Sequence, residues 1–381
     1  MLEFAFWLLA GLTIYVYFGY PLLLAVMAAF GNKPVHEENA RLPPVSLIIS
    51  AFNEEDCIAE KLENTLSLDY PRELLEIIVV SDASDDATDD IVIGYADRGV
   101  RLLRMEDRGG KTLGLNAAVR DASGDVVVFS DANAMYEAAA IRALVAPYAD
   151  SAIGAVIGES TYTEPDDDSG RSESLYWRYE TSIKRLESVL GSVVGGDGAI
   201  YSVRRRLYRT MDADALSDFV NPLQVVQQGM RCVYEPRALS FEEVAGSFQK
   251  EFRRKVRIVN RAWRAIWKMR TMLNPFRYGG FSLKLWSHKL LRWLVPFKLA
   301  AILLLNVLLV GAGWVYVASL VLQVLFYFLA LLGYLNRNKA DQPAFLHVPY
   351  YFCLVNVASA LGLIEALAGK SYVTWTTARE V

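Results

Sequence analysis

Cysteine is scarce in this chain, and its scarcity excludes two structural classes. The 381 residues include three cysteines: Cys57 and Cys232 lie beside predicted strands, and Cys353 lies in a predicted membrane span. Such scattered positions exclude a disulfide framework and a cysteine-ligated zinc site. Internal repeats and low-complexity segments are also lacking. In a chain of this length we therefore expect one domain of about 200 residues together with membrane elements.

Charge is missing from the start of the chain. No charged residue occurs between Phe4 and Asn32, and a helix of that length, at ~1.5 Å per residue, exceeds the ~30 Å hydrocarbon core of a bilayer. The alternative is a signal peptide, which needs a basic start and a shorter apolar core. Because Glu3 makes the start acidic, we expect a membrane span over residues 1–30.

Charge is missing again between Leu299 and Asn336. This stretch is too long for one span, and the Gly-Ala-Gly sequence at 311–313 predicts a hairpin of two helices in its middle. A further span is predicted from Phe345 to about Leu367. The sequence therefore predicts three spans in residues 291–381 and about four in the chain.

Basic residues predict the orientation of these spans. They flank the ends that would share a side with the polar middle of the chain, and they are Lys284, Lys289, Arg292, Lys298, Arg337 and Lys339. The uncharged 311–313 hairpin would lie on the other side, so the polar middle is predicted to be cytosolic. We expect a multi-pass protein of the inner (cytoplasmic) membrane. Its linker covers residues 31–43, its cytosolic domain 44–246 and its interfacial helices 247–290.

Polar side chains follow three short apolar runs in the polar middle. Val45–Phe52 runs into Asn53, Glu54 and Glu55, Leu75–Val80 into Ser81 and Asp82, and Val126–Phe129 into Ser130 and Asp131. Their length and β-branched content predict buried strands of a mostly parallel sheet. Ligands bind outside the carboxyl ends of such strands. Because crowded carboxylates repel one another, we expect a divalent cation or a cationic partner among them.

A lysine follows two glycines at the start of a predicted helix. In Gly109-Gly110-Lys111, the backbone amides at the helix start and the Lys111 ammonium can together hold a phosphate group. The motif alone is weak. Its place in the chain, after Asp82 and before Asp131, fits a contact with a diphosphate.

Seven short motifs occur in order between the predicted spans. They are Asn53–Glu55, Ser81–Thr88, Arg108–Lys111 with Leu115–Ala118, Asp131–Asn133, Gly195–Tyr201, Ser217–Phe219 and Arg254–Arg257. With spans on both sides, this order resembles the membrane-attached inverting glycosyltransferases of family 2, which use nucleotide-sugar donors. The resemblance covers nearly the whole chain. It implies an α/β fold, with a GT-A-like, mostly parallel sheet in the nucleotide-sugar domain, interfacial helices and about four transmembrane helices.

The resemblance implies a donor site. Its residues are Asn53, Glu55, Asp82, Lys111, Asp131, Arg254 and Arg257, with Asp82 on the base and ribose side and Lys111 on the diphosphate. Mg²⁺ or Mn²⁺ on Asp131 and Asn133 would stabilise the leaving diphosphate. The family commonly has aspartate where this chain has Asn133, although an amide oxygen still ligates a hard cation. In the structural alternatives, Asn133 caps a helix starting near Tyr136, and the acidic segment 84–90 caps a helix start.

The resemblance also implies a catalytic base and an acceptor site. Inversion requires a carboxylate that takes the proton of the attacking hydroxyl, and Asp218 matches the family's position for it. In the alternative, Asp218 caps a helix at 220–228. Gly196, Asp197 and Gly198 form a glycine-rich loop that lets a backbone approach an acceptor sugar. The alternative for Asp197 is a turn residue.

A basic amphipathic helix is predicted after residue 246. Its apolar residues are Phe248, Phe252, Val256, Val259, Trp263 and Ile266, and the bases on its other side are Lys250, Arg254, Arg257, Arg261, Arg264 and Lys268. Such a helix beside a membrane is typical of an anionic lipid surface. Arg254 and Arg257 also match a family motif that lies over the active site. Ile258 stands where the family has tryptophan, which weakens a prediction of processive synthesis.

These observations predict metal-dependent, inverting sugar transfer from a UDP- or GDP-sugar, with UDP favoured. The acceptor would be a membrane-associated saccharide or a lipid-linked sugar, in exopolysaccharide or glycolipid synthesis, and no nucleic acid is expected as a partner. One span before the domain and three after it resemble the layout of chitooligosaccharide synthases. Two alternatives stay open: a single addition to a polyprenyl-phosphate-linked sugar, and a non-catalytic membrane sensor that binds nucleotide-sugar.

Overall fold

The computed structural model describes residues 1–35, 41–163, 168–243, 248–337 and 343–374. The chain forms two compact units. The helical unit consists of Met1–Phe30, Glu164–Ile183 and Ala245–Lys370, and the sheet unit of Gly31–Thr163, Lys184–Val244 and Ser371–Val381. The domain boundary expected at residues 246 and 247, and Lys339 of the orientation argument, lie outside the described residues.

The secondary structure alternates strands and helices through the middle of the chain. The strands are β1 (Val45–Ala51), β2 (Leu75–Ser81), β3 (Val100–Arg104), β4 (Val126–Asp131), β5 (Met135–Tyr136), β6 (Ile153–Thr163), β7 (Ile200–Arg204) and β8 (Arg231–Glu243). The α-helices are α1 (Leu2–Ile14), α2 (Tyr20–Phe30), α3 (Ile58–Leu66), α4 (Thr88–Ile93), α5 (Lys111–Asp121), α6 (Ala140–Val145), α7 (Asp168–Val189), α8 (Ser217–Gln227), α9 (Phe248–Lys268), α10 (Pro275–Tyr278), α11 (Gly280–Lys284), α12 (Leu291–Trp293), α13 (Val295–Leu308), α14 (Trp314–Leu335) and α15 (Ala344–Leu367).

An eight-stranded sheet forms the centre of the sheet unit, with strand order β3-β2-β1-β4-β7-β6-β8-β5. Strands β3, β2, β1 and β4 are parallel, whereas β7 runs antiparallel to β4 and β6. In register, Ala51 lies opposite Ser81, and Ser50 lies opposite Asp131. The three polar strand ends predicted from the sequence therefore meet at one edge of a mostly parallel sheet, as expected.

Both faces of the parallel strands are buried. In β1, Leu47 and Ile49 belong to one apolar cluster, and Ile48 between them belongs to another. Successive side chains of a strand point to opposite faces, so a strand covered on both sides reads as a continuous apolar run. Helices α3 and α6 contribute to the first cluster and α5 to the second. This layering explains why the strands were recognisable in the sequence.

The helical unit contains the candidate membrane spans. Within the described part of the chain, three helices are long and apolar enough to cross a bilayer. They are Leu2–Phe30, which consists of α1, a π-helical turn at Tyr15–Gly19 and α2, together with Trp314–Leu335 and Ala344–Leu367. The pair Gly280–Trp293 and Val295–Leu308 is bent by 58° and makes up to four if it counts as one span. Helix α13 ends at Leu308 and α14 begins at Trp314, so the predicted helical hairpin is confirmed.

A buried carboxylate joins α7 to the segment before α13 in the helical unit. Glu180 is 6% exposed. Its Oε1 lies 2.8 Å from His288 Nε2 and 3.1 Å from Lys289 Nζ, and its Oε2 accepts a hydrogen bond of 2.6 Å from Arg292 Nη1. A buried carboxylate needs cationic partners such as Lys289 and Arg292, because losing them leaves a charge unpaired in a poorly solvated place. Lys289 and Arg292, expected only to orient the spans, therefore also hold the helices together.

The position of the C-terminal residues predicts the number of membrane crossings. Residues 371–374 belong to the sheet unit, where Ser371 Oγ donates a hydrogen bond of 3.4 Å to Asp214 Oδ2. The chain leaves the sheet unit before α9 and returns to it after α15. Because one folded unit lies on one side of a bilayer, we expect an even number of crossings between these points, two rather than three.

Cysteine labelling checks this number. In a variant without the three native cysteines, Ser371→Cys is expected to react with a membrane-impermeant maleimide from the same side as Asp85→Cys, which lies on an exposed loop of the sheet unit. Labelling of Ser371→Cys from the side opposite to Asp85→Cys would contradict the even number.

Candidate active site

The end of β4 lies against the start of α5. Asp131 is the last residue of β4, and Lys111 is the first residue of α5. Lys111 Nζ donates hydrogen bonds to Asp131 Oδ1 and, at 3.4 Å, to the Gly198 carbonyl oxygen. Two residues predicted from separate motifs are therefore in direct contact, and the glycine-rich loop before β7 lies beside them.

Gly198 lies between three charged side chains. A Cβ atom built on Gly198 would lie 3.6 Å from Asp131 Oδ2, 3.6 Å from Lys111 Nζ and 4.0 Å from Asp218 Oδ2. These groups come from β4, α5 and α8, so the sheet edge and two helices contribute to one centre. Because glycine has no side chain, an atom at this Cβ position would make ordinary contacts with the two carboxylates and the ammonium, and we call this position the open space at Gly198.

Asp218 lies in the first turn of α8. This helix begins at Ser217, its N-cap residue is Leu216, and no side chain caps it. The alternative in which Asp218 caps a helix at 220–228 is therefore wrong. The Asp218 carbonyl accepts a 2.7 Å hydrogen bond from Gly196 N, and a Cβ on Gly196 would lie 2.6 Å from the same oxygen. Glycine is required at 196 for this close approach to the Asp218 backbone.

Asp197 is tied to its own loop and to a buried lysine. Its Oδ1 accepts a 3.3 Å hydrogen bond from Ala199 N, and its Oδ2 lies 3.8 Å from Lys184 Nζ. The side chains of Asp197 and Lys184 are 9% and 6% exposed. These contacts support the alternative of a turn residue that shapes the loop, and the predicted contact of Gly196, Asp197 and Gly198 with an acceptor stays a prediction.

Asp82 holds the glycine loop that precedes Lys111. Asp82 Oδ1 accepts a hydrogen bond from Gly109 N at 2.8 Å, and Oδ2 accepts one from Gly110 N at 2.9 Å. Burial raises the pKa of the Asp82 carboxyl, although the two glycine amides and Arg108 oppose this rise. A contact with the base and ribose of a nucleotide, expected for Asp82, stays a prediction. The hydrogen bonds from Gly109 N and Gly110 N to Asp82 position the start of α5.

Gly110 is a position where only glycine fits. Its φ is +85°, in the left-handed region that side chains disfavour. A Cβ atom there would lie 2.4 Å from the Val373 carbonyl oxygen. The described C-terminal residues therefore pass directly against the loop before α5, which the sequence did not predict.

The ends of β1 and β2 are locked together by hydrogen bonds. Asp85 N donates to Asn53 Oδ1 at 3.1 Å, Ala87 N to Glu55 Oε2 at 2.9 Å, and Glu55 N to Asp86 Oδ2 at 3.1 Å. Asp86 Oδ1 also accepts a 3.0 Å hydrogen bond from Thr88 N, the first residue of α4. This contact confirms a structural role for Asp86 at a helix start. Asn53 and Glu55 border the same sheet edge, and their contact with a donor stays a prediction.

Asn133 is exposed in the turn that follows β4. The alternative in which it caps a helix near Tyr136 is wrong, because Met135–Tyr136 form β5 and α6 begins at Ala140 with Ala139 as its N-cap residue. In the described residues, no group of three or more His, Cys, Asp and Glu side chains could hold a metal ion. Metal binding by Asp131 and Asn133 stays a prediction, and a hard cation there would need further oxygen ligands.

Arg254 and Arg257 lie on α9, in the helical unit. Arg254 Nε donates a 2.6 Å hydrogen bond to Glu251 Oε2, and Lys255 Nζ lies 3.2 Å from Glu251 Oε1. Burial raises the pKa of Glu251, but Lys255 and Arg254 outweigh it and lower the pKa to about 2. Arg254 is therefore engaged within its own helix. The role expected of Arg257 at a donor stays a prediction.

The basic side of α9 is not wholly exposed. Arg261, assigned from the sequence to a lipid-facing basic side, is 7% exposed, so that assignment is wrong for this residue. Helix α9 packs closely on α15, where a Cβ on Gly362 would lie 2.6 Å from the Val256 carbonyl oxygen. The helix is amphipathic as predicted, but α15 covers part of its surface.

Two buried residues beside the site were not identified from the sequence. Lys61 of α3 is 0% exposed, and Tyr136 of β5 is 3% exposed. A signal for Lys61 was present, since it follows Ile58 by three residues and precedes Leu62 on the apolar side of a short helix. Its partner lies 73 residues away, so its role could not be derived from local spacing.

Known proteins resemble this chain in sequence or in fold. Residues 46–211 match the family described as Glycosyl transferase family 2. The probable glycosyltransferase YdaM of Bacillus subtilis is 37% identical over 135 residues, which are 34% of this chain and 32% of YdaM. A poly-beta-1,6-N-acetyl-D-glucosamine synthase of Staphylococcus epidermidis is 24% identical over 230 residues, which are 58% of this chain and 55% of the synthase. The chain thus spans about half or less of these relatives.

A solved structure supports the fold over nearly the whole chain. The mannosyltransferase PcManGT from Pyrobaculum calidifontis, solved in complex with GDP-Man and Mn²⁺, superposes with a TM-score of 0.73 at 22% identity. The match covers 97% of this chain and 100% of that one. The expected GT-A-like α/β fold is therefore confirmed, and residues 46–211 are similar to glycosyl transferase family 2.

Proposed function

We propose that this protein transfers a sugar, with inversion, from a nucleoside-diphosphate sugar to a membrane-associated saccharide or lipid-linked acceptor. A UDP-sugar is the favoured donor, and exopolysaccharide or glycolipid synthesis is the favoured setting. The observation that supports this proposal most is the convergence of Lys111, Asp131 and Asp218 around Gly198. A phosphate-binding cation, a metal-binding carboxylate and a proton acceptor are the three groups that such a transfer requires.

Asp218 is the general base of this proposal. An acceptor hydroxyl that attacks the anomeric carbon loses its proton as the new bond forms, and a carboxylate in hydrogen-bond reach takes it. Asp218 Oδ2 borders the open space at Gly198. Its backbone is fixed by the hydrogen bond from Gly196 N, so its distance from that space is well defined.

In this proposal, Lys111 and Asp131 are the residues that act on the diphosphate. A divalent cation, Mg²⁺ or Mn²⁺, would stabilise the charge that develops on the leaving diphosphate, and Asp131 and Asn133 are the residues that would hold it. Lys111 would donate to the phosphate oxygens from the start of α5, where backbone amides also favour an anion. Asn53, Glu55 and Asp82 would border the nucleoside, and Arg254 and Arg257 are further donor-binding residues of this proposal.

Removal of divalent cations tests the metal part of the proposal. We expect EDTA to abolish sugar transfer and added Mn²⁺ or Mg²⁺ to restore it. Without a divalent cation, the negative charge that develops on the leaving diphosphate would not be stabilised. Transfer is measured with the full-length protein in detergent, and EDTA saturated with Mn²⁺ serves as the control. Full activity in excess chelator would show that the reaction needs no such cation.

Replacement of the base tests the chemical step. Asp218→Asn keeps the shape of the side chain but removes its basicity, so we expect the transfer rate to fall by roughly 10²-fold or more. Donor affinity should change little. Asp212→Asn, on an exposed position of the preceding loop, is the matched control and should keep the parent rate. A variant at Asp218 that turns over like the parent would assign the base to another residue.

Filling the space at Gly198 tests whether ligand occupies it. In Gly198→Ala, the new methyl group would make ordinary contacts of 3.6–4.0 Å with Asp131, Lys111 and Asp218, so the fold should survive. We expect UDP binding to weaken at least tenfold, about 1.4 kcal/mol. Gly280→Ala, where a Cβ would meet nothing within 4 Å, is the control. Unchanged UDP affinity in Gly198→Ala would place the ligand elsewhere.

A further inference from the structure

A buried lysine contacts the turn that carries the candidate metal ligands. Lys61 lies on α3 and is 0% exposed. Its Nζ donates a hydrogen bond to the Ala134 carbonyl oxygen and lies 3.9 Å from the centroid of the Tyr136 ring. Both partners lie in the segment that follows β4, so Lys61 joins α3 to this segment.

The contacted segment is the turn that presents Asp131 and Asn133. Ala134 N donates a 3.3 Å hydrogen bond to the Asp131 carbonyl oxygen, which closes the turn over four residues. Lys61 holds the carbonyl at the exit of this turn. The turn is thus fixed at both ends, at Asp131 by β4 and at Ala134 by the lysine.

The same network reaches the glycine-rich loop. The Tyr136 hydroxyl donates to the Ala199 carbonyl oxygen at 2.9 Å. The Asn64 side chain of α3 accepts a 2.8 Å hydrogen bond from Tyr136 N and donates one of 2.9 Å to the Tyr136 carbonyl. Through β5, helix α3 is therefore connected to two segments beside the open space at Gly198. One is the 131–134 turn, and the other is the glycine-rich loop at Ala199.

A lysine is a costly residue at this position. Ile58 and Leu62 on the same helix are also 0% exposed, so an aliphatic side chain would suit packing better than an ammonium. Burial lowers the pKa of Lys61 to about 7, against the opposing effects of Asp131, Glu242 and Cys57. The packing of α3 does not require an amine at this position. The Ala134 carbonyl requires it as a hydrogen-bond donor.

We propose that Lys61 is a positioning residue. Through the Ala134 carbonyl it holds the 131–134 turn in the shape in which Asp131 and Asn133 bind a divalent cation together with a nucleoside diphosphate. This role rests on the proposed function. Residues that orient metal ligands typically contribute 10–100-fold to metal affinity, and Lys61 would do so although it touches neither the metal nor the substrate.

Mn²⁺ binding to the full-length protein in detergent, measured in the presence of UDP by the loss of the free Mn²⁺ electron paramagnetic resonance signal, tests this role. Lys61→Met keeps the length and removes the donor, and we expect its apparent Kd for Mn²⁺ to rise at least tenfold. Lys61→Gln keeps an N–H donor and should fall between the parent and Lys61→Met. Thr65→Val, a near-isosteric change at a buried position of α3, should stay within twofold of the parent.

Folding is followed in parallel by circular dichroism and thermal unfolding, and the Kd is expressed per folded molecule. A Lys61→Met protein that melts at a lower temperature but binds Mn²⁺ like the parent would make Lys61 merely structural and overturn the proposal. If Lys61→Met does not fold, Lys61→Gln decides, with a rise of threefold or more expected. A parent protein that binds no Mn²⁺ with UDP would overturn the metal part of the proposed function together with this role.

Discussion

The ion pair between Lys111 and Asp131 is the contact on which the candidate site depends. It joins the first residue of α5 to the last residue of β4 and lies beside the Gly198 carbonyl. Both residues reach this place because parallel strands end at one edge of the sheet, and the helix that follows β3 starts at the same edge. An arrangement of this kind puts a cation and a carboxylate together at the crevice.

Close backbone approaches define the borders of that site. Gly196 meets the Asp218 carbonyl, and Gly110 meets the Val373 carbonyl, at distances that leave no room for a Cβ atom. Asp82 turns both carboxylate oxygens to the loop before Lys111. The charged side chains at the centre are therefore held by backbone geometry around them, which is how a site keeps its shape before a ligand binds.

Buried charges perform structural work in both units. Glu180 binds Lys289, Arg292 and His288 in the helical unit, and Lys61 binds a carbonyl and an aromatic ring in the sheet unit. Each would be unfavourable if left alone in a poorly solvated interior. Their partners come from segments far apart in the chain, so each links elements that local interactions do not join.

The sequence by itself determined the strands, the mostly parallel sheet, the helical hairpin after α13 and the amphipathic character of α9. These features follow from periodicity and apolar length, which are local properties of the chain. Tertiary structure alone decided which polar atoms form hydrogen bonds, such as the glycine amides with Asp82 and Lys61 with the Ala134 carbonyl. It also decided that Arg261 is buried and that Asn133 does not cap a helix. Such partners are brought together by packing between elements distant in sequence, and no local pattern records them.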